Sequence, residues 1–185
     1  MPDISDRYRT LSAAFTATAE GVPDGAWENP TPCEGWVARD VVRHLVDWMP
    51  AFFLDGWGVD RPEIPSVDVD PVGAWIALRD ALQVALDDPE VAARRRSDPH
   101  LGELSFADAV ATVALADILV HTWDLARAAG LDDTLDPDEV AIAVVGIGTY
   151  DDAPMRTSGH FGPAVELPDG AGEQDRLLAF MGRRP

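Results

Sequence analysis

The chain has no lysine: its 14 basic residues are all arginine, set against 33 acidic ones. That absence excludes Schiff-base chemistry and a lysine general base. The shortage of positive charge leaves a formal net charge of −19 and a pI near 4.2. Such a surface repels nucleic acid phosphates and anionic lipid, so neither nucleic acid nor a membrane is expected as a partner. Cysteine is nearly missing as well. Cys33 stands alone, which excludes an internal disulfide and suits a reducing compartment. No stretch reads as long and apolar enough to span a bilayer, and the first residues lack the apolar core of a signal peptide. The expected location is cytoplasmic. There is no G-x-S-x-G or Walker-type loop, no internal repeat and no heptad run. β-Signal is confined to short apolar pieces such as Pro163 to Leu167.

What remains is helical. A length of 185 residues with 46% hydrophobic content predicts one domain, residues 1–185, with a sizeable core. The first helix is expected over Ile4 to Glu20, with Asp3 as N-cap and Gly21 after its end. A turn-rich segment, GVPDGAWENPTPCEGW, precedes a second helix from Val37 to about Leu54, in which Pro50 ends or kinks the regular part. Asp70 and Pro71 start a third helix that runs to about Leu86. The clearest helix begins at Ser105, where Asp108 completes a capping box, and stops at Gly130. At roughly 36 Å it crosses a whole domain. Asp136, Pro137 and Glu139 start a fifth helix, and a short one closes the tail at about Glu173 to Met181. Four substantial helices with polar linkers predict an all-α, up-down bundle with additions.

Two of these helices carry the same polar stripe. Asp40, His44 and Asp47 repeat at i, i+4 and i+7, and so do Asp117, His121 and Asp124. Residues so spaced share a helix face. The helix that carries Asp117 is otherwise apolar almost all round, as buried helices are. A carboxylate and an imidazole in a core cost several kcal/mol unless paired or metal-bound. Facing stripes in a bundle would therefore make a metal site of two histidines and a carboxylate. Taken singly, each histidine reads as a core residue bonded to a nearby Asp; the three together favour metal. Asp40 and Asp47 read at least as well as a solvated helix face. Cys33 lies near a helix start, where a thiol pKa can fall, but reads better as a small residue fixing a turn. His100 and His160 fall in loops; Arg156 and His160 are candidates for a substrate entrance on the tail. Trp27, Trp36, Trp48 and Trp123 read as core, and Arg94-Arg95-Arg96 as a solvated turn or an intramolecular partner for acidic residues.

The blocks TPCEGWVARDVVRHLVDW and DILVHTWDLARAAG, with the ending HFGPAVELPDGAGEQDRLLAFMGRRP, resemble the DinB-like superfamily. The resemblance is closest to the branch related to the N-terminal domain of mycothiol-dependent maleylpyruvate isomerase, which is typical of actinobacteria. It covers nearly the whole chain and implies a DinB/YfiT-like four-helix bundle. It also implies a divalent metal, often zinc, held by His44, Asp117 and His121. The carboxylate is commonly Glu in the isomerase. Asp117 is one methylene shorter, so it either draws the metal towards its own helix or fails to reach. Val37 stands where relatives place Ser or Thr as N-cap, which implies a looser helix start.

Two histidines and one carboxylate leave zinc an open position, the arrangement of catalytic sites. The first reading is thus a mycothiol-type transferase or isomerase, in which the metal activates a cofactor thiolate towards a small-molecule electrophile. Asp40, Asp47 and Asp124 are candidates to accept the free imidazole N–H of a ligand histidine. The second reading is a non-catalytic metal- or small-molecule-binding module of the same fold. The third is a bundle whose stripes are hydrogen-bond networks without metal.

Overall fold

The computed structural model describes residues 3–99, 101–148 and 162–185. Helix α1 (Ile4–Gly21) buries Tyr8, Leu11, Phe15 and Ala19 on one face, the 3–4 residue spacing of an amphipathic helix. Helix α2 spans Ala38–Met49 and continues as a wider, π-type stretch over Pro50–Asp55. Pro50 has no N–H to donate and its ring crowds the preceding turn; widening the helix is the local response. Helix α3 (Pro71–Asp87) starts as its sequence indicates, with the Asp70 carboxylate accepting from Gly73 N–H at 2.8 Å. A single turn, α4 (Pro89–Ala92), leads into a two-stranded antiparallel hairpin, β1 (Arg95–Asp98) and β2 (Gly102–Ser105).

The long helix of the sequence reading runs from Phe106 to Ala129. It comprises α5 (Phe106–Ala109), a π-type stretch over Val110–Ala114, and α6 (Leu115–Ala129). The Ser105–Asp108 capping box is made in both directions, at 3.0 and 3.3 Å. No proline or glycine accounts for the second π-type stretch. Helices α7 (Pro137–Ile147) and α8 (Glu173–Phe180) complete the described chain.

The fold is all-α apart from the hairpin. α1 packs on α3 and α6, and α2 packs on the same two helices. The four form a ring in the order α1–α3–α2–α6, with α1 and α2 on a diagonal. Their buried side chains make one hydrophobic cluster. α7 and α8 pack on each other, and α7 also meets α6. Arg7 of α1 and Glu139 of α7 pair through two contacts, of 2.8 and 2.6 Å, with both side chains only 10% exposed. Glu139 thus ties α7 to the bundle and does not fold back on its own helix start.

Four expectations need correction. Phe106–Ala129 is in fact long and apolar enough to cross a membrane, but 67% of its most apolar window is buried inside the protein; it is the core helix of the bundle. Residues 163–167 form no strand; Val165 N–H donates to Ala179 O at 2.9 Å. The hairpin at Arg95–Ser105 went unread because polar, arginine-rich strands carry little β-propensity. The start of α2 is not loose either. Ala38 N–H donates to Asn29 O at 2.9 Å and Arg39 N–H to Trp27 O at 3.0 Å, while Asp40 accepts Val37 N–H at 3.0 Å. Backbone carbonyls of the preceding loop do the work of a capping side chain. The arginine run does bind intramolecularly: Arg95 pairs with Glu103 and Arg96 with Asp98. The Arg96 guanidinium also lies over the Trp57 ring at 4.4 Å.

Candidate metal centre

The contact between α2 and α6 brings the two sequence stripes together, though not residue for residue. His44 comes from α2; Asp117, His121 and Asp124 come from α6. The Asp117 carboxylate sits between two imidazoles, Oδ2 at 3.4 Å from His44 Nε2 and Oδ1 at 3.4 Å from His121 Nε2. The shorter Asp side chain thus contacts both imidazoles. One ligand atom from each of the three residues falls within 4.8 Å of the others. On the far side of the His121 ring, Nδ1 meets Asp124 Oδ2 at 3.0 Å. A carboxylate at Nδ1 turns Nε2 towards Asp117 as a free donor atom.

Asp40 and Asp47 do not join the site. Asp40 caps the start of α2 and contacts Arg43, and Asp47 is exposed. Arg43 pairs with Asp68 and Asp40. Asp124 is completely buried and its cation is Arg183, from the C-terminal tail. Arg183 Nη2 donates to Asp124 Oδ2 at 2.7 Å and to Cys33 Sγ at 3.3 Å, and Nε donates to Asp124 Oδ1 at 3.3 Å. Sequence reasoning missed Arg183, which lies 59 residues from Asp124; it falls in the ending that carries the resemblance, but nothing there gives it a role. His100, Arg156 and His160 lie outside the described residues.

Two loops aim the remaining groups. In the T-P-C-x-G-W block, Thr31 N–H donates to Trp36 O at 2.9 Å and Trp36 N–H to Cys33 O at 3.1 Å. The turn needs a left-handed residue, supplied by Gly35 at φ 79°. Its rigidity sets Trp36 against both histidines, 5.1 Å from the His44 ring and stacked on the His121 ring at 5.8 Å and 14°. Trp48 also adjoins His44, with ring centroids 6.1 Å apart. These two tryptophans are half-buried, pack against the core as expected and border the site as well; Trp27 and Trp123 are buried in the core. In the tail, Gly182 at φ 83° turns the chain after α8, so that Arg183 N–H meets Leu178 O at 2.9 Å and the guanidinium faces inward.

Burial by itself would raise the Asp117 carboxyl and lower the His121 imidazole. The facing charges win in both cases: Asp117 is held well below the usual carboxylate range by His121 and His44, and His121 is pushed up by Asp117 and Asp124. Cys33 moves the other way. Burial, then the Asp124 charge, push its thiol up to about 12 in spite of Arg183. It is no activated nucleophile.

The donor set fits a divalent ion. One donor atom from each of the three residues lies within 4.8 Å of the others, and Asp117 offers a separate carboxylate oxygen to each imidazole at 3.4 Å. Among the described residues, two buried side-chain polar atoms lack a hydrogen-bond partner, Asp117 Oδ2 and Trp48 Nε1. The first is an ionised oxygen aimed at His44, the kind of atom that native structures seldom leave unpaired.

The family model described as mycothiol maleylpyruvate isomerase N-terminal domain matches residues 8–126. Two uncharacterized proteins of Mycobacterium tuberculosis, from strains CDC 1551 / Oshkosh and ATCC 25618 / H37Rv, are each 28% identical over 184 residues, covering 95% of this chain and 95% of their own. No solved structure matches.

Proposed function

The chain belongs to the mycothiol maleylpyruvate isomerase N-terminal domain family, and from that membership we propose that it handles a low-molecular-weight thiol at a metal centre. His44, Asp117 and His121 hold one divalent ion, zinc in our reading. The thiol is of the mycothiol class. The reaction is transfer of its sulfur to an electrophile, or a thiol-assisted isomerisation.

The observation that carries this reading is the buried, unpartnered Oδ2 of Asp117 facing His44. A hydrogen-bond network would close such an atom, as His121 Nδ1 and Asp124 close theirs at 3.0 Å. Leaving a buried polar atom open costs about 1–3 kcal/mol, more when it is charged, and a cation removes that cost. A bound divalent ion supplies Lewis acidity, lowering the pKa of a thiol or water that joins it.

The chain's own residues do the rest. Asp124 accepts the Nδ1–H of His121 and fixes the ring. Trp36 covers the face of that ring and keeps water from it. His44 and Asp117 side chains are 33% and 27% exposed against 5% for His121, so a small molecule approaches from their side. The one cysteine near the centre holds its proton tightly, which supports a sulfur brought from outside.

The test is metal analysis of protein purified without a metal-binding tag, followed by thiol-conjugation kinetics. About one divalent ion per chain is expected, with a thiol- and metal-dependent rate that His44→Ala removes and Cys33→Ser largely keeps. Metal uptake without turnover would reduce the protein to a binding module. A folded protein that takes up no metal even after incubation with zinc would leave only the network reading.

A further inference from the structure

Asp124 Oδ2 is a hub. It receives Arg183 Nη2 at 2.7 Å, His121 Nδ1 at 3.0 Å and Cys33 Sγ at 3.4 Å. Remove the guanidinium, and what remains is a thiol, an imidazole nitrogen and a carboxylate oxygen, all within 4.8 Å of one another. That is a metal-ligand set in its own right. Bonds of about 2.0–2.3 Å to N, O and S separate the ligand atoms of a tetrahedral shell by roughly 3.3–3.8 Å. The 3.4 Å between Cys33 Sγ and Asp124 Oδ2 already lies in that range. The set shares His121 with the first centre, one ring nitrogen facing each.

We infer that Cys33, His121 and Asp124 form a second, latent metal site, and that Arg183 fills it as a built-in cation. The guanidinium is only 13% exposed, and its contacts with Cys33 and Asp124 are those an ion would take. It is delivered by the tail, which lies beyond the residues that match the family model. The placement has two consequences. The cluster stays closed to metal, so His121 serves one ion through Nε2 alone. With the guanidinium already bonded to its sulfur and to Asp124, Cys33 meets no ion and never becomes a ligand. Any sulfur that meets the ion in the first centre must then come from a separate thiol molecule, and this second consequence rests on the function proposed above. The protein therefore has a cysteine in the cluster behind His121 and keeps it out of the chemistry.

The test uses cobalt(II) on the full-length metal-free protein, because a thiolate bound to cobalt gives a strong near-ultraviolet charge-transfer band. The wild type is expected to show no such band. Arg183→Ala should show one, as a second ion or as a shift of the first into the new cluster. Arg183→Ala combined with Cys33→Ser should lose it again. Arg183→Gln, a milder change that keeps a hydrogen-bonding side chain, should also show the band and decides the matter if the alanine variant does not fold. Far-ultraviolet circular dichroism checks the fold of each. A thiolate band in the wild type, or folded Arg183 variants without a Cys33-dependent band, would overturn the inference. A wild type that binds no cobalt at all would instead sink the His44–Asp117–His121 centre, and the Arg183 variants would still decide this one.

Discussion

Replacing Asp117 and Asp124 by asparagine, one at a time, should give opposite rankings in two assays. Asn keeps the shape of Asp and removes the charge. At position 117 the lost charge is the only anionic ligand of the proposed centre. At position 124 it is the acceptor behind His121. Loss of such an outer partner costs about 10- to 100-fold in metal affinity, or roughly 1.4–2.8 kcal/mol. Asp117→Asn should exceed the upper end of that range. Fold stability without metal should rank the other way. Asp124 is fully buried against Arg183, itself 13% exposed, and breaking a buried pair costs about 3–5 kcal/mol. Asp117 is 27% exposed and its two contacts are both long, at 3.4 Å, so its loss costs the metal-free fold less. Zinc titration against a competing chelator measures the first ranking, and urea unfolding of the metal-free variants the second. If Asp124→Asn loses more zinc affinity than Asp117→Asn, Asp124 is the ligand carboxylate and the assignment to Asp117 is wrong.

Three further outcomes follow from the same geometry. In the metal-free protein, burial works to lower His121, yet Asp117 and Asp124 raise it from 6.5 to about 9. A raised basic group stabilises fully below its unfolded pKa and stops doing so above its folded one. Stability should therefore fall as pH rises from about 6.5 to about 9, a slope that His121→Gln removes in a series of urea melts. Glu139→Ala strips Arg7 of its buried partner and should cost about 3 kcal/mol, lowering the melting temperature by roughly 6–12 °C; a change of less than 2 °C would make the pair incidental. Chelation should lower the melting temperature of the metal-bound protein but leave its helical circular dichroism, because α2 and α6 bury Leu45, Met49, Ile118 and Trp123 whether or not an ion is present. Loss of the helical signal would mean that the ion holds the fold.

The contrast between Asp117 and Arg183 shows what a sequence carries and what it leaves out. Asp117, His121 and Asp124 occupy one helix, and helical geometry alone puts them on one face. Both contacts of His121 with these carboxylates are local, at four and three residues. His44 is a longer step: its apolar stripe says that it faces a core, and the resemblance names its partners. The identical spacing around it was misleading, since Asp40 is needed to cap a helix whose Val37 cannot, and Asp47 falls on the solvent side. Equal spacing on two helices does not give equal burial, because each helix turns only one stripe of its surface to its neighbours.

Cys33 and Arg183 lie 91 and 59 residues from Asp124, and they reach it through two turns whose paths no periodicity announces. Each turn has a glycine with positive φ, Gly35 and Gly182, and those glycines are visible in the sequence. Where the following side chain will land is not, since that depends on how the bundle closes. A Cβ on Gly182 would come within 3.2 Å of Gly162 Cα and 3.3 Å of Pro163 O, so the turn that delivers Arg183 is itself held by a close approach of another part of the tail. A fully buried Asp on an apolar helix demands a cation, and the chain has 14 arginines and no lysine to supply it. Arginine is the better choice at this position, because its planar fork reaches both oxygens of Asp124 and the sulfur of Cys33 at once. A lysine there would make one of those contacts at a time and leave Cys33 freer to turn towards a metal.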